Sequence, residues 1–428
     1  MKNLVFIQLN EINFDIVKEY LKTENYENLK FISNNILVTT SEKKYNLLEP
    51  WIQWQTIYTG LKAEKHNIFR LGDVEKKNIP QFYEKLEKLG YSVGAICPMN
   101  CLNRCQNPAY FIPDPWTKSH TDNSKLSKII SNVLRETVNN NANNKISIKN
   151  YFFILFLFFY FSQIKYFFLY IYYFATSFKY KWRKTLFLDL LLHDIHIRLY
   201  KKKKPNFSTI FYNAGAHIQH HYFFNSKANK TNLKNPEEFL ENNKDPFNEV
   251  ISLYDKILGD YLLIKSNNII LATGLTQVPT DTFEYYYRLS DHQNFLTKLK
   301  ISFEKVHPRM SRDFLIKFKS DDEVNFAHNI LSRLELKGQK IFGILEKREN
   351  EIFATLTYSK EILKKDTLYF KDLSIKFFFE VSFVSIKNGK HSSKGFLFLN
   401  GDIQSFNKTK LPQSINSLHE MVINYFIS

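Results

Sequence analysis

The chain has 428 residues, of which 44% are hydrophobic and 16% aromatic, and its formal net charge is +17. This length accommodates one large α/β domain or two ordinary domains, and the apolar fraction is sufficient to fill a core. The charge favours an anionic lipid or an acidic substrate as partner. It does not indicate nucleic acid, because no basic stretch is interleaved with aromatic residues in a nucleic-acid motif.

The first 115 residues alternate between predicted strands and predicted helices. The apolar runs predict strands at residues 4–9, 36–40 and 92–96. The helical patterns lie at residues 14–21, 56–59 and 81–89. This alternation predicts an α/β fold with a central, mostly parallel sheet sandwiched by helices. The run at residues 4–9 is too short for a signal peptide, so we expect a cytoplasmic protein.

A hydrophobic insert is predicted at residues 117–205. Its centre, residues 151–178, is almost wholly apolar and aromatic, and nine basic residues against two Asp follow between residues 179 and 204. A single membrane crossing would separate the two halves of the predicted sheet. A hairpin of two crossings would have only about 14 residues per leg, fewer than the roughly 17 that a bilayer requires.

Two interpretations of the insert remain open. Its helices lie in the interface of an anionic membrane, at the inner membrane face, because an apolar face beside a polybasic patch binds such a surface. Alternatively, the insert is a helical lid packed on the domain or a contact with another subunit.

The α/β pattern resumes after Pro205. Strands are predicted at residues 208–212 and 269–272, with helices at 238–242, 247–263 and 418–427 and alternating strand patterns across 340–400. We therefore expect residues 1–116 and 206–428 to form one α/β domain around the insert. The spacing of Cys97, Cys101 and Cys105 would place them on one helical face but matches no standard zinc or iron–sulfur spacing, and we interpret them as buried or partly buried thiols.

Polar residues follow the ends of several predicted strands. Asn10 and Glu11 come directly after residues 4–9, with Asp15 five residues beyond Asn10. Asn213 follows residues 208–212, and His217 stands four residues later. Ligands of open α/β sheets bind at the carboxyl ends of the strands, so we expect these side chains at one edge of the sheet.

Two further segments complete the set of candidate site residues. Residues 49–54 read Glu-Pro-Trp-Ile-Gln-Trp and are followed by a Thr-Gly pair and by His66. Residues 389–396 read Gly-Lys-His-Ser-Ser-Lys-Gly-Phe and contain His391.

In order and spacing, these four segments resemble the metal-site segments of the alkaline phosphatase superfamily, especially its type I phosphodiesterase/nucleotide pyrophosphatase branch. The resemblance covers most of the chain outside the insert and implies an alkaline phosphatase-like fold. It places Asn10, Asn213, His217 and His391 at positions of metal ligands. Members of the family use two zinc-type ions and a Thr or Ser nucleophile.

The chain departs from this family pattern at several positions. Asn10 and Asn213 replace Asp, Pro50 falls on the nucleophile, and residues 273–275 read Thr-Gly-Leu where the family has an Asp-His pair. A neutral amide contributes less charge to a metal than a carboxylate does. The departures therefore argue against a two-metal mechanism. One divalent metal, zinc or manganese, is the candidate cofactor, and a site without metal is the alternative.

Three interpretations of the chemistry remain open. In the first, His217 and His391 hold one metal, with Asn213 or His220 assisting, and the metal polarises an ester or activates water.

In the second interpretation the site is metal-free. Glu11 or Glu49 and a His then act as general base and acid, or Glu49 acts as a covalent nucleophile. In the third, the protein is a non-catalytic relative that binds a ligand.

A cluster near residue 300 completes the predicted site. Arg288, His292, Arg309 and Arg312 are expected to bind an anionic substrate, because guanidinium groups bind phosphate or sulfate in bidentate fashion. A structural salt-bridge network is the alternative.

Together these features predict a hydrolase or transferase acting on a phosphate or sulfate ester, on a glycan or lipid-linked intermediate of surface polymer metabolism. The alternative is a catalytically inactive relative that binds a ligand or serves a membrane-associated assembly.

Overall fold

The computed structural model describes residues 2–42, 44–139, 147–227, 229–264, 268–309, 312–407 and 413–428. Its strands are β1 (Leu4–Leu9), β2 (Leu37–Thr40), β3 (Val93–Ile96), β4 (Tyr110–Ile112), β5 (Phe207–Tyr212), β6 (Asn268–Ala272), β7 (Thr276–Leu289), β8 (Lys305–Pro308), β9 (Asp313–Lys317), β10 (Glu335–Leu336), β11 (Gln339–Lys340), β12 (Phe342–Arg348), β13 (Glu351–Leu356), β14 (Thr367–Phe370), β15 (Leu373–Lys376), β16 (Val381–Ser392), β17 (Lys394–Asn400) and β18 (Gln413–Ser414).

The α-helices are α1 (Phe14–Tyr20), α2 (Glu27–Asn34), α3 (Pro50–Thr59), α4 (Ala63–His66), α5 (Phe82–Lys88), α6 (Lys125–Asn139), α7 (Ile148–Phe161), α8 (Phe167–Thr176), α9 (Arg183–Lys203), α10 (Ala214–Tyr222), α11 (Pro246–Leu262), α12 (His292–Lys298), α13 (Asp321–Leu331) and α14 (Ser417–Ile427).

The chain contains two compact units. The first unit is Met1–Pro279 together with Asn388–Ser428, and the second unit is Thr280–Lys387. The second unit has an antiparallel sheet in the order β12-β13-β9-β8 and its own apolar core. No sequence pattern separated this unit from the rest of residues 206–428, which were expected to belong to one domain.

The first unit is built on a mixed sheet. Among the described residues, eight strands form it in the order β18-β2-β17-β6-β1-β5-β3-β4. Strand β1 lies between β5 and β6 and pairs with both in parallel, and β3 is parallel to β4 and β5. Only β17 runs antiparallel to its neighbours within the described part of this sheet. The predicted α/β fold with a mostly parallel sheet is thus confirmed.

The central strands are apolar because helices cover both faces of the sheet. Every residue of β1 and β5 is buried, which explains why neither strand contains a charged residue. Their buried polar side chains pair with each other, since Nε2 of Gln8 donates to Oγ1 of Thr209 at 2.7 Å. The predicted helix at residues 238–242 is wrong, since turns occupy this segment. The expectation of a helical face for the three cysteines is wrong as well, because they lie in irregular backbone after β3.

The insert contributes helices α6 to α9 to the first unit. Helices α7 and α8 both pack on α9, and α9 in turn packs on β5. In the part of the chain that the structure describes, no helix is long and apolar enough to cross a membrane.

A buried polar network connects α9 to the sheet. The Nδ1 atom of His196 lies 2.7 Å from the hydroxyl oxygen of Tyr261, and its Nε2 atom lies 2.6 Å from Oγ of Ser208. Burial, and to a smaller extent the charge of His193, lowers the pKa of His196 to about 3.

This pKa predicts an acid-dependent loss of stability. Because the pKa of His196 is lower in the folded chain than in the unfolded one, the unfolded chain binds more protons between about pH 3 and pH 6.5. Between pH 7 and pH 4.5 the wild type should lose roughly 2–3 kcal/mol of unfolding free energy relative to the variant His196→Gln. Urea unfolding at both pH values measures this difference. A difference that does not change with pH would contradict the prediction, and His120→Gln, at an exposed position, is the control.

Candidate functional site

The candidate site lies at the carboxyl ends of three adjacent strands. The backbone N–H of Asn10, just after β1, donates to the carbonyl of Tyr212 at 3.1 Å, and the N–H of Glu11 donates to the carbonyl of Thr273 at 3.1 Å. Glu11 has a φ of 62°, in the left-handed region that a non-glycine residue rarely adopts. Such backbone strain is concentrated at functional sites, where the surroundings hold the residue in place.

The Glu11 carboxylate is the centre of the site. Its Oε2 atom lies 3.2 Å from Nε2 of His220, on α10, and 3.2 Å from Nε2 of His391, on β16. One ligand atom from each of the three residues lies within 4.8 Å of the other two. The side chain of Glu11 is 2% exposed, whereas those of His220 and His391 are 31% and 13% exposed, so solvent reaches the histidine side of the cluster.

Three amides hold Glu11 in place. Nδ2 of Asn10 donates to Oε1 at 3.0 Å, and Nε2 of Gln277 donates to Oε2. Nε2 of Gln219 donates to the backbone carbonyl of Glu11 at 2.9 Å. Both carboxylate oxygens and the carbonyl therefore have partners, which fixes the rotamer and the strained backbone of this residue.

Asn10 connects Glu11 to two other residues. Its Oδ1 atom accepts a hydrogen bond from Nε1 of Trp54 at 2.8 Å, and Nδ2 donates to Oδ1 of Asn213 at 2.9 Å as well as to Glu11. Because the indole can only donate, the oxygen of Asn10 must point to Trp54 and its nitrogen to the site. Asn10 thus orients the carboxylate of Glu11 in this arrangement.

Gly389 lets β16 approach the amides behind the site. A Cβ atom at this position would lie 2.1 Å from Oε1 of Gln277 and 2.7 Å from the carbonyl oxygen of Gln219. Any side chain here would displace one of these amides. The close approach positions His391, two residues later in the same strand.

The His391 ring is held from its other side. Its Nδ1 atom lies 3.7 Å from Oε2 of Glu49, and the ring also hydrogen-bonds the backbone of Leu48. Glu49 is the residue immediately before α3, which begins at Pro50. Within the described residues, no group forms a hydrogen bond of good geometry with Nε2 of His391, although Oε2 of Glu11 lies 3.2 Å from it.

The pKa values of Glu11 and His391 are shifted by the charges of their neighbours in the site. Burial alone would raise the pKa of Glu11, but the nearby His220 and His391 hold it well below its usual value. Burial would lower the pKa of His391, and the carboxylates of Glu11 and Glu49 raise it to about 9. The centre of the cluster therefore favours a positive charge, which a proton on His391 provides when no metal is bound.

The predicted ligand His217 lies on the same helix as His220 but three residues earlier. Its ring contacts that of His221, with 4.7 Å between the ring centroids. Burial, and then the charge of His220, lowers the pKa of His217 to about 4. The structure thus brings the predicted residues Asn10, Glu11, Glu49, Asn213 and His391 together with His220, which was predicted only to assist. Metal coordination by Asn10, Asn213 and His217 stays a prediction.

The predicted anion-binding cluster lies in the second unit. His292 packs its ring on Phe314, with 4.9 Å between centroids, and the guanidinium of Arg312 stacks over Tyr286 at 3.9 Å. Arg288 is the second-to-last residue of β7, and Arg309 directly follows β8. Substrate binding by these four residues stays a prediction.

Sequence reasoning missed two residues that support the site and undervalued a third. Gln219 and His220 lie on α10, a helix that follows β5 directly and is rich in histidine, which is the signal that marks them. His220 was predicted only to assist a metal, and Gln219 was not predicted. Gln277 follows β6 by five residues, and no pattern in the sequence marks it.

No protein-family model and no curated protein matches the chain. One similar solved structure is phosphonoacetate hydrolase from Sinorhizobium meliloti 1021, at 8% identity and a TM-score of 0.45, with 99% of this chain and 96% of that chain covered. A second is human ectonucleotide pyrophosphatase/phosphodiesterase 5, at 11% identity and a TM-score of 0.44, with 99% and 94% of the two chains covered. A third is a TAB5 alkaline phosphatase mutant with bound Mg, at 10% identity and a TM-score of 0.42, with 99% and 97% of the two chains covered. All three are members of the superfamily that the four sequence segments resemble.

Proposed function

We propose that the chain is a hydrolase or transferase acting on a phosphate or sulfate ester, with one divalent metal held by Glu11, His220 and His391. The convergence of these three side chains at the carboxyl edge of the sheet carries the proposal. The resemblance of the flanking sequence segments to phosphodiesterase metal sites supports the choice of ester.

The residues present fit a metal of the zinc type. Two imidazoles and one carboxylate are a ligand set of catalytic zinc sites, which leave a fourth position open. With bonds of 2.0–2.1 Å, tetrahedral ligand atoms lie roughly 3.3 Å apart. The two contacts of 3.2 Å between Glu11 and the histidines agree with this spacing. The buried Nε2 atom of His391, which lacks a hydrogen bond of good geometry among the described residues, is a further indication.

A divalent metal at this position supplies Lewis-acid polarisation of the ester and neutralises developing negative charge. The chain's own residues supply the rest. Glu49 lies beside His391 with 30% of its side chain exposed, so its carboxylate is placed to accept a proton from water or from an acceptor hydroxyl. By the family resemblance, Pro50 falls on the nucleophile position, and it has no hydroxyl. This favours direct attack of the water or acceptor hydroxyl on the phosphorus or sulfur, with Glu49 taking its proton while the ester P–O or S–O bond breaks and the alcohol leaves.

The proposed substrate class rests on the open side of this site. Glu11, His220 and His391 would hold a metal whose histidine side is exposed, where a phosphoryl or sulfuryl oxygen could bind. An ester carried on a glycan or a lipid-linked intermediate is the finer class that we propose. Chromogenic phosphodiesters, phosphomonoesters and sulfate esters are suitable first probes.

The metal content of the purified protein tests this proposal, with two variants of one helix as a matched pair. Wild type and His217→Ala should contain near-stoichiometric zinc or manganese, and His220→Ala should lose it. The loss should exceed the roughly 10–100-fold in affinity that removing a ligand's hydrogen-bond partner costs. Hydrolysis of the chromogenic esters should be retained in the proteins that keep the metal and lost in His220→Ala.

The opposite pattern, with metal lost in His217→Ala and kept in His220→Ala, would refute this ligand set and favour the one that the sequence predicted. A wild type that binds no metal even when zinc is added would refute the metal mechanism. It would leave an acid–base site of Glu11, Glu49 and His391, or a ligand-binding relative.

A further inference from the structure

Helix α7 exposes an apolar stripe to solvent along its whole length. The exposed residues recur at intervals of three and four, as one face of a helix requires. They are Ile148, Tyr151, Phe152, Leu155, Phe156, Phe159 and Tyr160. A helix that covers a globular domain normally turns polar residues outward, whereas the one exposed charged residue of α7 is Lys149 in its first turn.

The exposed apolar surface continues into the turn after α7 and along α8. Ile164 is 93% exposed, Phe168 82% and Phe178 75%. The opposite sides of the two helices are already buried in the first unit, through residues such as Leu157 and Tyr170. We call the exposed apolar residues from Ile148 to Phe178 the aromatic face. An apolar patch of this extent marks an interaction site.

The exposed charges contributed by the insert around the aromatic face have one sign, although carboxylates of other segments pair with two of its lysines, Asp260 with Lys165 and Glu241 with Lys179. Within residues 147–204, all of which the structure describes, every exposed charged residue is basic. The two acidic residues, Asp189 and Asp194, are 3% and 1% exposed. The buried Arg183 is the exception among the basic residues, and it pairs with Glu249 at 2.7 Å.

The positive charges lie directly beside the apolar residues. The guanidinium of Arg198, on α9, stacks over the ring of Tyr160 at 4.1 Å and donates to the Tyr160 carbonyl. Lys201 and Lys202 follow Arg198 by three and four residues, so they lie on the same side of α9. Lys149, which lies beside the aromatic face in the first turn of α7, is exposed as well.

The exposed apolar residues and the basic residues beside them together indicate which partner binds the aromatic face. In a two-fold contact between copies of the chain, each surface patch faces the same patch of the other copy. The basic residues beside the aromatic face would then face each other, and residues 147–204 offer no exposed carboxylate to pair with them. An anionic membrane supplies both an apolar layer for the aromatic rings and negative headgroups for the Lys and Arg side chains.

We infer that the aromatic face docks on an anionic membrane surface, with α7 and α8 lying in the plane of one leaflet and the basic residues of α9 at the headgroups. Tyr and Phe rings suit this boundary, and long basic side chains reach the headgroups along their apolar stems. The inference does not depend on the metal site or on the proposed reaction.

Vesicle co-sedimentation of the full chain tests the inference. Wild type should bind vesicles that contain phosphatidylglycerol more tightly than vesicles of phosphatidylcholine alone, and salt should weaken the difference. Phe152→Ser/Phe159→Ser/Phe168→Ser should bind at least about tenfold more weakly. These three side chains are 69%, 72% and 82% exposed, so the substitutions should leave the thermal unfolding transition in place.

Two further variants separate the apolar from the electrostatic contribution. Lys201→Gln/Lys202→Gln should weaken binding to the anionic vesicles by roughly tenfold and leave binding to phosphatidylcholine alone unchanged. The matched control is Phe326→Ser/Tyr369→Ser/Phe379→Ser, which replaces aromatic residues of the second unit that are 51%, 75% and 67% exposed, and it should bind like wild type.

Two results would overturn the inference. One is a wild type that sediments with neither kind of vesicle. The other is a wild type that self-associates through the aromatic face without binding vesicles, so that the triple Phe variant becomes monomeric; a second copy would then cover the face.

Discussion

Replacing Glu11 with Gln should abolish metal binding and, with it, ester hydrolysis. Glu11 supplies the negative charge among the three converging side chains, and Gln has nearly the same shape without that charge. The substitution also places an NH₂ group against one of two amide donors, because Asn10 and Gln277 donate to the two carboxylate oxygens. We expect metal affinity to fall by more than about 100-fold and kcat/KM to fall with it.

Calorimetric titration with zinc and initial rates on a chromogenic phosphodiester measure both effects. Asp15→Asn is the control, because Asp15 lies four residues away on the surface and pairs with Lys394 at 2.5 Å. It removes the same charge from the same part of the chain and should leave affinity and rate unchanged. Wild-type zinc affinity in Glu11→Gln would place any metal outside the cluster described above.

The largest effect on stability is expected from Asp189→Ala. Asp189 lies on α9 and accepts hydrogen bonds from the backbone N–H groups of Asn213 and Ala214, at 3.3 and 2.9 Å, and from the hydroxyl of Tyr254 at 2.8 Å. It thereby caps the start of α10 from outside that helix. Alanine would leave these donors buried without an acceptor, each at a cost of about 1–3 kcal/mol.

The expected loss is roughly 3–5 kcal/mol in the free energy of unfolding, measured with urea, since part of the cost is recovered when the site relaxes. Asp189→Asn keeps the shape and one acceptor oxygen and should lose about half as much. Metal affinity should fall in the alanine variant too, because α10 carries His220. A loss below about 1 kcal/mol for Asp189→Ala would show that water replaces the carboxylate at this position.

The sheet and most of the site's position were predictable because they depend on local patterns. The parallel strands are buried on both faces, so β1 and β5 appear in the sequence as mostly apolar segments without charged residues. The polar residues directly after these strands, Asn10 and Asn213, are then brought together by topology alone, and the structure connects them by a hydrogen bond of 2.9 Å.

The remaining details depend on orientations that a single sequence does not encode locally. His217 and His220 are three residues apart on α10, and which of them faces Glu11 depends on how the helix is rotated against the sheet. That rotation is set by distant contacts such as the one between Asp189 and the start of α10. Gln277 reaches Glu11 across more than 260 residues of chain, and its neighbours in the sequence carry no motif.

Helix α9 joins the two parts of the molecule to which we assign functions. Asp189 holds the start of the helix that carries His220, and Arg198, nine residues further on, lies at the aromatic face, about 14 Å away along the helix axis. An enzyme docked through that face would encounter a lipid-linked substrate by diffusion in two dimensions. Its rate would then follow the mole fraction of substrate in the bilayer, and diluting that substrate with inert lipid would slow the reaction even at a constant total concentration.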